Sequence, residues 1–226
     1  MQPFVLESPA VRLEVPGPAD VEAIVEACQD PVLQRFTTVP TPYSRADATA
    51  ITEACQDPDI VRWTTIPTPY TARDATTFVD ALVGPGWASD REYTWAIRRT
   101  GSTWLEGIIG YRTARRDLGF WLAPSARGAG LMHDAVGLVL DWAFAQGAPD
   151  VYWECYVGNT ASASVARAAG FSYTGTGDAL IPGRDGAPTT AWKGLRRADG
   201  APASDLPWPA ETTTARPDDA SPTVRG

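Results

Sequence analysis

The run Asp117-Leu118-Gly119-Phe120-Trp121-Leu122-Ala123 reads as a strand that stops at Pro124. After it, Ser125-Ala126-Arg127-Gly128-Ala129-Gly130-Leu131-Met132 leads into an amphipathic segment. A strand, a glycine loop and a helix start make a junction suited to an anion. The first N–H groups of a helix have no intrahelical acceptor, the helix dipole favours negative charge, and glycines let a phosphate come close. Arg127 adds a guanidinium. The same pattern also serves as turn and packing chemistry, so the junction by itself leaves both readings open. Two phosphate fingerprints fail on it. A dinucleotide-binding loop would need glycine where His133 stands, and a nucleoside-triphosphate loop needs Gly-Lys-Ser/Thr, whereas the sole lysine is Lys193.

Other chemistries find few residues. One histidine and three cysteines, Cys28, Cys55 and Cys155, with no C-x-x-C pair, give no zinc-ligand spacing, and no metal is expected. His133 has no Gly-x-Ser-x-Gly elbow to serve, so it reads as a surface or interface residue. Cys155 reads as a small apolar strand residue rather than an acyl carrier. Nineteen basic against 27 acidic residues leave a net charge of −8, which offers a polyanion no general attraction, so nucleic acid is not an expected partner. The start MQPFVLESPA lacks the basic and apolar regions of a signal peptide. The most apolar window, from Val136, is short and interrupted by Asp141. With an odd cysteine count, these features point to a cytoplasmic protein without a membrane span.

The elements that must hold the junction are legible around it. Glu92 to Arg98 alternates polar and apolar residues, Arg99 to Ser102 can turn, and Trp104 to Tyr111 returns, which makes an antiparallel hairpin. Gly130 to Gln146 is a helix stopped by Gly147. Val151 to Val157 is a strand, and Asn159 or Thr160 caps a short helix that ends at Gly170. Strands follow from Phe171 and over Thr189–Leu195. Strand, helix, strand implies a right-handed parallel crossover, and the hairpins make the sheet mixed.

Further upstream, a 27-residue unit from Glu26 is repeated at once from Glu53, spanning residues 26–79, with Cys28 matching Cys55 and Tyr43 matching Tyr70. It predicts a helix from about Pro18, a middle helix from Ser44 and a third from Thr71. Residues 1–197 form the expected domain. The Pro/Ala/Thr-rich, acidic stretch 198–226, with Trp208 as its one aromatic, reads as a disordered tail. Trp63, Tyr70, Trp87, Tyr93 and Trp95 are either core or the lining of an amine pocket.

Two motifs in order carry a family resemblance. Arg127-Gly128-Ala129-Gly130 resembles the Arg-x-x-Gly-x-Gly/Ala loop of acyl-CoA users, and Asn159, Ser162, Val165 and Gly170-Phe171 resemble the second motif of the same family. The chain is thus similar to GNAT superfamily N-acetyltransferases, particularly the ribosomal-protein N-terminal acetyltransferase branch, from Val11 to about Arg197. The resemblance implies an α/β fold: a mixed, mostly antiparallel sheet with a central parallel strand pair, flanked by helices. It also implies acetyl-CoA as co-substrate without metal, and direct attack of a primary amine, on a small molecule or a protein N-terminus, with monomer and homodimer both open. Cofactor contacts are then expected from the backbone around Leu122, from Arg127, Gly128, Ala129, Gly130, Leu131 and Met132, and from Asn159 and Ser162. Asp117 and Glu154 become the candidate bases and Ser162 the candidate acid. Each also reads as an ordinary strand carboxylate or, for Ser162, a helix-capping hydroxyl. Two departures matter: Met132 stands where the loop usually has Gly or Ala, and Ala166 where many members place a tyrosine acid. Together they motivate the alternative of a non-catalytic acyl-CoA-binding or regulatory module.

Overall fold

The computed structural model describes residues 2–27, 78–122, 124–183 and 186–213. All of the 27-residue duplication but its ends, including the helices expected from Ser44 and Thr71, lies outside these residues.

Among the described residues eight strands form one sheet: β1 (Leu6–Glu7), β2 (Val11–Glu14), β3 (Glu92–Arg99), β4 (Gly107–Arg112), β5 (Asp117–Leu122), β6 (Asp150–Tyr156), β7 (Ser172–Asp178) and β8 (Thr190–Arg197). Their spatial order is β1-β2-β3-β4-β5-β6-β8-β7, antiparallel throughout except for the parallel pair β5–β6. The expected mixed sheet with one central parallel pair is therefore present. Among the described residues four α-helices accompany it, α1 (Val21–Ala27), α2 (Gly84–Ala88), α3 (Leu131–Ala145) and α4 (Thr160–Ala168), and a π-helical segment, Phe78–Val83, leads into α2. Among the described residues no helix is long and apolar enough to cross a membrane.

Alternation sorts the two faces. Tyr93, Trp95 and Ile97 of β3 point with Ile109, Tyr111 and Leu118 into the main core, which α3 covers through Ala135, Val136, Val139 and Ala143. On the opposite face Ala96 and Ile108 meet Ala23 and Ile24 of α1. Trp87 and Trp95 are therefore core residues, whereas Tyr93, also buried, lines a small cavity with Tyr111 and Trp142. Trp87 meets Phe4 edge-on at 5.3 Å, and Trp95 meets Trp142 edge-on at 5.5 Å. Trp63 and Tyr70 lie outside the described residues.

A charged cluster ties α1 to the sheet. Arg98 is only 6% exposed, and its guanidinium donates to Glu14, to Asp20 and to the carbonyl of Thr103. Asp20 also accepts the N–H of Gly17 at 2.8 Å, capping the turn that opens α1.

The expected disordered tail is corrected over residues 198–213. Trp208 packs on Trp153 and Tyr173, with ring centroids 5.8 and 5.7 Å apart, and Thr212 is buried in a short turn, Ala210–Thr212, against α4. One large aromatic with two ring partners supplies the burial that the composition of the stretch lacks. Residues 214–226 lie outside the described residues.

Candidate active site

The parallel strands stay together only briefly. β5 and β6 pair at Asp117–Tyr152 and Leu118–Trp153 and then part, while β6 keeps its ladder to β8 from Asp150–Arg197 to Tyr156–Ala191. β5 keeps its ladder to β4 as far as Leu122–Gly107. From Gly119 onward one edge of β5 is thus paired and the edge toward β6 is open, so its backbone groups there need a partner from outside the sheet. A cleft of about 280 Å³ fills the gap, walled by Gly119 and Trp121 on one side and by Glu154, Tyr156, Asn159 and Ser162 on the other.

At the far end of β5 the glycine loop takes the conformation its sequence calls for. Gly128 and Gly130 have φ of 77° and 78°, the left-handed region, and a Cβ on either would meet nothing within 4 Å. Gly130 caps α3 without a side-chain bond, and the first intrahelical bond runs from the Asp134 N–H to the Gly130 carbonyl. The N–H groups of Leu131, Met132 and His133 therefore have no acceptor within the helix. Met132 is 5% exposed and buried in the core, so its side chain leaves the loop face to its backbone. Arg127 donates from Nη2 to the carbonyl of Leu122 at 3.1 Å, which clips the loop to the end of β5. His133 is exposed beside Asp134 and does not line the cleft.

Asp117 and Glu154 both reach the cleft, and both are committed. Arg112 grips Asp117 with Nε at 3.0 and 3.1 Å and Nη2 at 2.6 Å, with Arg115 behind it at 3.3 Å. Burial alone would raise the Asp117 carboxyl, but the bonds and charges of Arg112 and then Arg115 outweigh it and hold the group below the ordinary carboxylate range. A carboxylate so weakly basic is a poor proton acceptor at neutral pH. In Glu154 one oxygen accepts the Leu180 N–H and the other the Lys193 ammonium, each at 2.8 Å.

The depressed Asp117 has a consequence for stability. Its contribution is complete above the unfolded value of about 3.9 and is lost as pH falls through the lower folded value. Asp117→Asn is expected to lower stability at pH 7 by about 2 kcal/mol and to flatten the acid limb of the stability curve. Urea melts from pH 2 to 7 check this, and an unchanged limb refutes it.

Ser162 and Asn159 are held by identifiable bonds. The Asn159 side chain accepts the Ser162 N–H at 3.1 Å, capping α4, and the buried Trp153 indole donates to Ser162 Oγ at 3.1 Å. Cys155 is buried, which pushes its thiol up to about 12. It is no thiolate near neutral pH, and an acyl-cysteine route has no nucleophile. Among the described residues no group of three or more His, Cys, Asp or Glu gathers as a metal site.

Sequence reasoning did not single out Glu92, Arg112, Arg115 or Tyr156, which also line the cleft. The missing signal was register: Glu92 on β3 faces Arg112 on β4, which faces Asp117 on β5, so three charges line up across three strands.

No curated relative matches the chain in sequence. Among solved structures the chain is similar to the microcin C7 self-immunity acetyltransferase MccE in complex with acetyl-CoA and AMP, at 14% identity, 84% of this chain, 93% of that one and a TM-score of 0.60. It is similar to the ribosomal-protein acetyltransferase RimL in complex with coenzyme A, at 14% identity, 88% of this chain, 100% of that one and a TM-score of 0.63. A third is the acetyltransferase of Salmonella typhimurium that modifies the N-terminal serine of a 50S ribosomal subunit protein, at 15% identity, 86% of this chain, 99% of that one and a TM-score of 0.63. These likenesses establish the fold. Residues 41–172, more than half of the chain, match the family model described as the acetyltransferase (GNAT) domain. The parted β5–β6 pair and the glycine loop thus sit in a chain that belongs to the GNAT acetyltransferase family.

Proposed function

We propose that the protein transfers an acetyl group from acetyl-CoA to a primary amine by direct attack. The observation that carries this is the parting of β5 from β6 after Leu118 and Trp153, which opens one backbone edge of β5 in line with the glycine loop at the start of α3. Acetyl-CoA supplies an activated thioester. The N–H groups of Leu131, Met132 and His133 receive its pyrophosphate, with Gly128, Ala129 and Gly130 giving close approach and Arg127 fixing the loop. The open edge of β5 near Leu122 bonds the extended arm of the ligand, and the Asn159 cap sets the position of Ser162. Ser162 Oγ, held by the Trp153 N–H, gives its proton to the departing sulfur. Asp117 and Glu154 set the charge of the cleft through their arginine and lysine partners. The acceptor is a small-molecule amine or a protein N-terminus, the latter being what the similar Salmonella typhimurium acetyltransferase modifies.

Calorimetric titration of acetyl-CoA tests this. Gly130→Glu forces a residue with a Cβ into a positive φ and sets a carboxylate where phosphate would lie, so affinity is expected to fall at least about tenfold. Undiminished binding by the folded variant refutes the loop assignment. A second reading, a non-catalytic acyl-CoA-binding module, is favoured by Ala166, which is 1% exposed in the core at the position of the family's tyrosine acid. Binding of acetyl-CoA with no CoA released across an amine panel would establish that reading.

A further inference from the structure

The Gly110–Gly119 pair of β4 and β5 sits one step beyond the last paired residues of β5 and β6. With no side chain on either, the sheet face is hollow there, and the Arg112 guanidinium fills the Gly119 half, its Nη1 3.1 Å from where a Gly119 Cβ would be. Glu92 bends into the hollow, its Oε1 only 2.9 Å from where a Gly110 Cβ would be. Its side chain is 41% exposed, and its ion-pair contact, Arg112 Nη1 at 3.8 Å, is beyond hydrogen-bond distance. The other cleft carboxylates, Asp117 and Glu154, are bonded to cations at 2.6 and 2.8 Å. Arg112 is itself turned to Asp117. Above the hollow the wall is apolar: Trp121 is half-buried, and Leu180 and Ile181 are 54% and 42% exposed at the rim.

We propose that Glu92 receives the ammonium group of the acceptor, and that the acceptor is a primary amine carried on an apolar body that rests on Trp121, Leu180 and Ile181. The identity of the reaction rests on the acetyl-transfer reading; the ammonium site does not. In that reaction the ammonium passes one proton to the Glu92 carboxylate, and the freed nitrogen lone pair bonds to the thioester carbonyl carbon. The carbon–sulfur bond breaks, the sulfur takes a proton from Ser162, and the nitrogen, now an amide, loses its second proton to water. Ser162 is reprotonated from solvent, and Glu92 returns its proton to water.

The test is equilibrium binding of three probes to the full chain by calorimetry: 2-phenylethylamine, its uncharged isostere 2-phenylethanol, and methylamine, which has the charge without the apolar body. The amine is expected to bind at least about tenfold more tightly than the alcohol and than methylamine. Glu92→Gln, at a half-exposed position, is expected to leave the melting temperature unchanged and bring the amine to the level of the alcohol. Glu92→Asp keeps the charge and part of the preference. A preference that survives Glu92→Gln, or an unmodified protein that binds no amine, overturns the proposal. If the preference depends on Glu92 and no CoA is released from acetyl-CoA, the ammonium site stands and the acetyl-transfer reading falls.

Discussion

Arg98→Met is expected to lower the unfolding free energy by about 3–5 kcal/mol, the cost of leaving a buried charge without its partner. A domain of this size loses roughly 2–4 °C of melting temperature per kcal/mol, so the shift is readily measured. The Arg98 side chain is 7% exposed and that of Asp20 is 5% exposed, so Asp20 has almost no water to turn to when the guanidinium is gone. The Thr103 carbonyl loses a donor as well, while Glu14, at 31% exposure, retains some hydration. Because Asp20 also caps the turn that opens α1, the damage reaches the helix whose Ala23 and Ile24 pack on Ala96 and Ile108. The added Asp20→Asn exchange removes the stranded charge and keeps an oxygen for the Gly17 N–H. Arg98→Met with Asp20→Asn is therefore expected to cost less than the sum of the two single changes. Additive losses would show that the pair is not the unit of stability.

The cluster also shows where sequence reading stops. Arg98 sits in an alternating strand and reads as its outward, polar half; its partners lie 78 and 84 residues away, and nothing local announces them. Elements whose signals are local came through. β3 to β6, α3 and α4 are marked by alternation, by Pro124 and Asn159, by Gly130 at the start of α3, and by Gly147 and Gly170, whose positive φ values are what helix stops require. The glycine loop was legible for the same reason. Glu92 was not, because only the register of β3 on β4 and of β4 on β5 brings it to the cleft. Asp117 and Glu154 were legible as cleft carboxylates, but their cation partners depend on pairings that the sequence does not print. Met132 shows a signal that was present and unused: it lies one helical turn before Val136 and two before Val139, on the buried stripe of α3, so an apolar residue there serves the core. Trp208 misled in the other direction, since a composition rule averages over a stretch in which one ring finds a slot.

Gly107→Ala is expected to reduce amine acetylation about 100-fold, the order associated with a misplacement near 1 Å at a reacting centre, while lowering stability by roughly 1–3 kcal/mol. Gly107 opens β4 opposite Leu122, and a Cβ there would overlap the Trp121 carbonyl oxygen and stand 2.7 Å from Leu122 Cδ2 and 3.1 Å from Leu122 Cα. A flexible side-chain tip could step aside, but a strand backbone cannot do so alone. The last two residues of β5 must lift from β4 together. That end carries the Trp121 wall of the cleft, and its Leu122 carbonyl anchors Arg127 and with it the glycine loop. One methyl group thus displaces both the open backbone edge and the pyrophosphate cradle, although Gly107 touches neither ligand nor cleft. The signature is a loss of kcat/KM far larger than the loss of stability would produce, with acetyl-CoA affinity falling in parallel. A variant that is destabilised but fully active would show that the end of β5 can shift without disturbing the site.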